Sequence, residues 1–276
     1  MSEQHSNKEL AYLFDLYVAP DWGERFAALM DEHLTLPKKG RALYVGPGTG
    51  GHALALAKRA GKDMTLIGVD ESEERLALAR AKATAAKLDH STEFRLGQFE
   101  ALEFEDEQFD LVVGDASLIP VERLPEIVAE LARVAAPGAT VALNLPTSSS
   151  FGEFFSIYWE ALASAGVAEA EGHLVEHLLN ERLTISDAEA MLAREGLDEV
   201  RSWTNVEEFN YPAGAEFFNA PLMKYFLLRD WLTPLSDEAL HAPVLAELTR
   251  IIDEERCEAD FTLSIKATLI AGHKPR

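Results

Sequence analysis

Val45-Gly46-Pro47-Gly48-Thr49-Gly50-Gly51 (VGPGTGG, residues 45–51) is the stretch on which the fold of this chain turns. The apolar run from Arg41 to Val45 before it reads as a strand, and a helical pattern from His52 to Arg59 follows it. A strand, a tight glycine turn and a helix, in that order, place the free N–H groups of a new helix at the carboxyl end of a strand. Gly46, Gly48 and Gly50 carry no Cβ, so the turn can take φ > 0 and let a ligand approach the main chain. Two spacings fit: Gly46, Gly48 and Gly51 satisfy GxGxxG, while Gly46, Gly48 and Gly50 satisfy GxGxG. The same turn would also serve close strand-to-helix packing alone.

Outward from the turn, strand and helix patterns alternate. Strands are predicted at 41–45, Met64 to Val69, Glu93 to Leu96, Phe109 to Asp115 and Thr140 to Leu145, with helices at 50–60, Glu73 to Lys87 and Val121 to Ala135. Alternation with short connections implies crossover units, hence an α/β, doubly wound, Rossmann-like sheet with helices on both faces. Ligands of such sheets lie beyond the carboxyl ends of the strands, so residues just after each strand are the candidates. Asp70 ends the second strand about 20 residues after the turn, where an acid accepts hydrogen bonds from ribose hydroxyls. Ser72 then caps the next helix. After the third strand, Gln98 can read a base edge and Phe99 can cover its flat face. Asp115 ends an otherwise apolar strand where the ligand should lie. Pro137-Gly138 is expected to turn the chain into the fifth strand, with Asn144 as a strand-end cap.

Before the first strand, Leu10 to Val18 is apolar with Tyr12, Phe14 and Tyr17, and Pro20-Asp21 is expected to break it ahead of a second helix, Trp22 to Leu34. These N-terminal helices either pack on the sheet or lean over the ligand site and present Tyr12 or Tyr17 to a substrate. In the second half, Ser148 to Ala165 reads as a helix whose stripe of Phe151, Phe154, Phe155, Tyr158 and Trp159 is expected in the core. His173-Leu174-Val175-Glu176-His177 matches the HxxEH spacing of some zinc sites, but nothing around it resembles a peptidase and no metal is expected. Ser186-Asp187-Ala188-Glu189 caps a helix that runs to Arg194, and a sixth strand follows near Asp198 to Phe209. The last strand is Asp260 to Gly272, where Phe261, Leu263 and Ile265 alternate with Thr262, Ser264 and Lys266. Helical patterns at Ala215 to Trp231 and Pro243 to Arg256, joined through Pro234-Leu235-Ser236, form an insertion at about 212–257 between those strands. It reads as a lid over the pocket mouth, or as a dimer contact made by Phe217, Phe218 and Tyr225.

Lys+Arg 25 against Asp+Glu 47 leaves a net charge of −22, a field that repels polyanions and argues against nucleic acid or an anionic membrane as partner. The lone cysteine, Cys257, cannot form an intrachain disulfide or a thiolate cluster, which fits a reducing cytoplasm. No apolar run approaches the roughly 20 residues of a membrane span, and Met1 to Glu9 lacks the features of a signal peptide. The expectation is a cytoplasmic protein of one domain, 1–276, with a helical extension at 1–36, a cofactor-binding core at 37–150 and a substrate-side half at 151–276. Composition leaves the oligomeric state open.

VGPGTGG at 45–51, GVDESEERLALARAK at 68–82, LGQFEAL with FEDEQFDLVVGD at 96–115, and ELARVAAPGATVAL at 130–143 resemble the successive motifs of class I S-adenosylmethionine-dependent methyltransferases. The resemblance covers about half the chain in order and spacing. It implies a seven-stranded sheet whose last strand runs antiparallel between the fifth and sixth. It further implies that Gly46, Gly48 and Gly50 hold the methionyl part of S-adenosyl-L-methionine, Asp70 the ribose, and Gln98 with Phe99 the adenine neighbourhood, with Asp115 alongside. The implied activity is methyl transfer to a small-molecule acceptor, with Asp115, His173 or His177 as candidate bases where deprotonation is needed. Two positions depart from the pattern: Tyr44 stands two before Gly46, where the family usually has an acid, and Gln98 stands where Asp or Asn is frequent. Two other classes share features with this chain. An NAD-dependent oxidoreductase shares the glycine turn and Asp70, and a non-catalytic cofactor-binding or interaction protein is suggested by Tyr44.

Overall fold

In a computed structural model the residues described are 5–60, 62–166, 173, 182–233, 235, 237–255 and 260–276. They form two compact units, one comprising Met1–Leu145, Ile185–Thr204 and Ala267–Arg276, the other Pro146–Thr184 and Asn205–Lys266.

The sheet has seven strands in the order β3-β2-β1-β4-β5-β7-β6: β1 Gly40–Val45, β2 Met64–Asp70, β3 Thr92–Leu96, β4 Phe109–Asp115, β5 Ala135–Pro146, β6 Asp198–Tyr211 and β7 Phe261–His273. Strands β1 to β5 pair in parallel. Central strands of a parallel sheet are covered on both faces, which is why β2 and β4 read as nearly unbroken apolar runs. The N–H of Gly138 donates to Lys274 O and that of Thr147 to Lys266 O, so partner numbers fall as β5 advances and β7 is antiparallel to it. The order reverses at β1 and β4, the switch point where ligands of open α/β sheets bind.

Helices α3 (Gly51–Ala60), α4 (Glu73–Ala85) and α5 (Leu124–Val134) make the crossovers. Helix α4 starts where predicted, the Ser72 hydroxyl accepting the Arg75 N–H at 3.2 Å. Helix α5 buries Leu124, Ile127, Val128 and Leu131, the i, i+3, i+4, i+7 stripe of a helix lying on a sheet. β5 begins five residues before the predicted strand and contains Pro137 and Gly138. A register shift against Phe109 and Leu111 accommodates that stretch within the ladder. Asn144 is not a strand-end cap. It is wholly buried inside β5, and its Nδ2 donates to Phe26 O at 2.8 Å.

The N-terminal region also departs from expectation, because Pro20 does not break it. Helix α1 (Asn7–Leu13), opened by a Ser6–Glu9 capping box, passes into a π-helical segment, Phe14–Gly23, and on into α2 (Glu24–His33). A proline in α geometry forfeits one hydrogen bond and crowds the carbonyl four residues back; the wider π turn at Pro20 relieves that crowding. Burial outweighs the local signal here, since Val18, Trp22, Phe26, Leu29 and Met30 line one face with at most 1% exposure. Helix α7 (Ile185–Arg194) contains Ser186 in its first turn rather than as its cap.

The second unit is built around aromatic rings. Helix α6 (Gly152–Ser164) places Phe154, Phe155 and Tyr158 in its core, the Phe154 centroid 4.4 Å from that of Trp231, whereas Trp159 faces outward. The insertion holds shorter helices than predicted, α8 (Gly214–Asn219), α9 (Leu228–Leu232) and α10 (Glu238–Arg250), with π turns at Met223–Leu227 and Ile251–Glu255. Phe217 packs between Tyr211 and Phe261 and is wholly buried, so it is not available as a dimer contact. His173 is exposed, while His177, Cys257 and the Pro234 and Ser236 of the predicted joint lie outside the described residues. Among the described residues, no helix is long and apolar enough to cross a membrane, and no group of three or more His, Cys, Asp or Glu could hold a metal.

Candidate functional site

The carboxyl ends of β1 to β4 converge. Gly46 N–H donates to Val69 O at 2.9 Å, Gly48 N–H to Asp70 Oδ2 at 2.9 Å, and Gly97 N–H to Asp70 O at 3.1 Å. Gly46 lies so close to the end of β4 that a Cβ there would stand 2.6 Å from Asp115 O. The turn, Asp70, the Gly97-Gln98 segment and Asp115 therefore lie along one edge.

The turn geometry separates the two glycine spacings. Gly48 has φ +56° and Gly50 φ +82°, a region that residues with a Cβ rarely enter. A Cβ on Gly50 would stand 2.7 Å from that of Ala79 on α4, whereas Gly51 has open space around it and begins α3. The third obligatory glycine is Gly50, as GxGxG requires, and the GxGxxG reading with Gly51 loses its physical basis.

Asp70 is 1% exposed and accepts four donors, namely Gly48 N–H on Oδ2 and, on Oδ1, Ser72 N–H at 3.0 Å with Arg75 Nε at 3.0 Å and Nη2 at 2.8 Å. Burial pushes its carboxyl above the usual range, against the pull of Arg75 and the two amides. A carboxylate offers about four lone-pair sites, and Oδ2 has one beyond Gly48 that suits a hydroxyl. Next to it an open cleft is lined by Glu71, Leu96, Gly97, Gln98, Ala101 and Glu103. Gln98 is exposed there. Phe99 is not, since its ring is buried with the Arg123 guanidinium 5.7 Å above its centroid. Arg123 itself bridges Glu71 and Glu100, tying the loops after β2 and β3 together.

Tyr44 is embedded in a chain of polar groups that sequence reading did not anticipate. Its hydroxyl lies 3.0 Å from His52 Nδ1, and His52 Nε2 lies 3.1 Å from Asp31 Oδ1, which also pairs with Arg59. Burial raises the Tyr44 hydroxyl further above its ordinary value, helped by Asp115 and Asp31, and it stays protonated. Asp115 is likewise pushed up by burial, while its Oδ1 accepts the Ser117 N–H at 3.0 Å.

The N-terminal segment covers this edge. A Cβ on Gly48 would stand 2.8 Å from Cε1 of Phe14, whose ring centroid lies 5.3 Å from the Arg75 guanidinium carbon. Thr49 donates its hydroxyl hydrogen to Asp15 at 2.5 Å, and Asp15 also pairs with Lys82. Tyr12 and Tyr17 sit on the same segment, 46% and 56% exposed. Phe14, Asp15, Arg75 and Arg123 thus border this edge without having been singled out in the sequence, where the two arginines carry no signal beyond helix charge and Phe14 is one aromatic of an apolar run.

Residues 42–138 match the family model described as a methyltransferase domain. The chain is 33% identical over 124 residues to a demethylmenaquinone methyltransferase of Shouchella clausii (44% of this chain, 52% of that protein). Over 119 residues it is 32% identical to norajmaline N-methyltransferase of Rauvolfia serpentina (43% of this chain, 39% of that protein). The matched stretch thus spans only about half the length of the curated relatives, or less. The YcgJ protein of Bacillus subtilis has the same fold, with a TM-score of 0.59 at 19% identity over 92% of this chain and 99% of that one. With its GxGxG turn and the acid ending β2, the stretch 42–138 is a methyltransferase domain of the class I S-adenosylmethionine-dependent kind.

Proposed function

We propose that the chain binds S-adenosyl-L-methionine along the β1–β4 edge and transfers its methyl group to a small molecule. One observation carries the reading: Gly48 N–H, Asp70 and the Gly97-Gln98 segment are bonded into one continuous rim beside an open cleft. In this reading the turn at Gly46, Gly48 and Gly50 holds the methionyl part. Asp70 Oδ2 accepts from the ribose, and Gln98 meets the adenine in the cleft with Glu71. Asp115 and the protonated Tyr44 face the amino end in place of the missing acid. Phe99, buried beneath Arg123, supports the adenine wall from behind.

When bound, the cofactor supplies a methyl group on a sulfonium, whose S–C bond breaks as a bond to the acceptor forms, leaving S-adenosylhomocysteine. The protein's part is to hold the acceptor in line and to exclude water. Where the acceptor must lose a proton, Asp115 is the candidate base on this edge, its affinity for a proton raised by burial. Tyr12 and Tyr17, exposed on the covering segment, are proposed to meet the acceptor. The relatives' names include an N-methyltransferase and a quinone-precursor methyltransferase, which supports a small organic acceptor and leaves its methylated atom open. The net charge of −22 supports an acceptor other than nucleic acid, and the single cysteine suits a reducing cytoplasm.

Calorimetry of the purified protein against S-adenosylmethionine, S-adenosylhomocysteine and NADH tests the reading. Binding of both sulfur compounds and not of NADH is expected, followed by label transfer from a labelled methyl donor to a metabolite extract. Tight NADH binding with no response to either sulfur compound would overturn it.

A further inference from the structure

Asp70 is held unlike any other acid described at this edge. It is 1% exposed, and three of its four donors converge on Oδ1. Two of those three come from Arg75, five residues on, at 3.0 and 2.8 Å, so the guanidinium grips one oxygen and leaves Oδ2 with the Gly48 amide alone. Arg75 is fixed in turn by the Phe14 ring, 5.3 Å from its guanidinium carbon. The other cations of α4 are committed elsewhere, Arg80 to Glu73 and the Phe94 carbonyl, Lys82 to Asp15 and Thr49.

We infer that Arg75 is a positioning residue for cofactor binding: by saturating Oδ1 it keeps Asp70 ionised and aims Oδ2 as the acceptor for a ribose hydroxyl. This rests on the reading of Asp70 as the ribose ligand. A protonated carboxyl would offer a donor where an acceptor is needed. The groups facing Asp70 are Arg75 from α4, the Ser72 and Gly48 amides and, across the sheet, the Asp115 carboxylate, whose repulsion favours protonation. Burial works in the same direction, so Arg75 is the main influence that keeps the proton off. Phe14, which faces Arg75, is uncharged, and its neighbour Asp15 is neutralised by Lys82.

The test is titration calorimetry with S-adenosylhomocysteine between pH 6 and 8 on the wild type, Arg75→Ala, Arg75→Lys and Asp70→Asn, each checked for a folded circular-dichroism spectrum. The wild type is expected to change affinity less than about twofold over that range. Without Arg75, Asp70 titrates at higher pH. Arg75→Ala should then bind more weakly than the wild type and lose affinity more steeply as the pH falls from 8 to 6, by up to about tenfold for each pKa unit by which the displaced value exceeds 6. Arg75→Lys should restore a flat profile with weaker overall binding, because an ammonium keeps the charge and loses the fork. If Asp70→Asn weakens binding while Arg75→Ala matches the wild type in affinity and pH profile, or binds more tightly, the inference fails and the ribose reading stands. If Asp70→Asn binds as the wild type does, or no protein binds S-adenosylhomocysteine, the ribose reading falls and takes this inference with it.

Discussion

The Tyr44 hydroxyl lies 3.0 Å from Nδ1 of His52, and through His52 it reaches Asp31, a residue of the N-terminal helices. A strand position that usually carries an acid in this family is thus occupied by a neutral donor, with the negative charge displaced two groups away. Its donor is buried and His52 is its strong partner, Met30 Sδ at 3.9 Å being a weak one. Tyr44→Phe is expected to cost about 1–2 kcal/mol, the value of a buried hydrogen bond whose other partner is left unpaired. Urea unfolding at neutral pH measures this, and an unchanged midpoint would show that the chain of contacts contributes nothing.

The same histidine makes stability depend on pH. Burial holds the His52 imidazole below its ordinary value of 6.5, against the pull of Asp31. A folded pKa below the unfolded one means that the unfolded chain binds more protons in the interval between them. The contribution is therefore complete above about pH 6.5 and is lost as the pH falls through the folded value. Asp70 and Asp115, with folded values raised by burial, act in the opposite sense, losing stability as the pH rises through those values. The Asp70 contribution is common to wild type and His52→Gln and cancels in the difference, and of the Asp115 contribution only its attraction to His52, a minor cause beside burial, does not. The stability advantage of the wild type over His52→Gln should shrink between pH 7.5 and pH 5, read by urea unfolding at each pH.

In the glycine turn, neighbouring residues should respond in opposite ways. Gly50→Ala must place a methyl against Ala79 in a left-handed backbone, which costs about 1–3 kcal/mol. Gly51→Ala meets open space at the start of α3 and should fall within about 0.5 kcal/mol of the wild type or gain slightly. Thermal melts of the two variants decide; equal losses would return Gly51 to the obligatory set.

What could be read in advance follows the range of the forces involved. The turn, Asp70, the Ser72 cap and the order of strands are written in short windows, where spacing and residue type act directly. Asp31 reaching His52, or Phe14 lying on Gly48, joins positions 21 and 34 apart in the chain, and no local pattern encodes such meetings. Pro20 and Pro137-Gly138 misled for the converse reason. Each is a valid local breaker, but the buried face of Val18, Trp22 and Phe26 holds the first stretch helical, and a shifted register admits the second into β5. Gln98 is exposed beside the cleft, whereas Phe99, expected to cover the flat face of a base, is buried, because an aromatic residue after a strand looks alike whether it points outward or into the core.

The N-terminal helices are fastened to the loop after β4 by Trp22 Nε1–H, which donates to Ser117 Oγ at 2.9 Å with both residues buried. Ser117→Ala removes that acceptor and should cost about 0.5–1.5 kcal/mol. Trp22→Phe removes the donor of the same bond, so the double variant should be more stable than the sum of the single losses by roughly 0.5 kcal/mol or more. Strict additivity in urea unfolding would mean that the bond carries no coupling.

Arg123 sets the last prediction because it joins the two loops that border the cleft. Its Nη1 and Nη2 donate to Glu71 at 3.1 and 2.5 Å, Nη2 also donates to Glu100 Oε2 at 2.9 Å, and Nε pairs with Glu100 as well. All three side chains are roughly 30% exposed, so solvent screening limits the contribution to folding to about 1 kcal/mol or less. Binding should suffer more than stability. Glu71 and the Gln98 segment border the cleft, and without the guanidinium the carboxylates of Glu71 and Glu100 repel each other beside it. Arg123→Ala is expected to weaken S-adenosylhomocysteine roughly fivefold to tenfold, a loss of about 1–1.4 kcal/mol, while the melting temperature moves by only a few degrees. Arg123→Lys should recover less than half of that affinity, since one ammonium cannot fork to both acids. An unchanged dissociation constant for Arg123→Ala would mean that the two loops hold their places without the bridge and that adenine is recognised elsewhere.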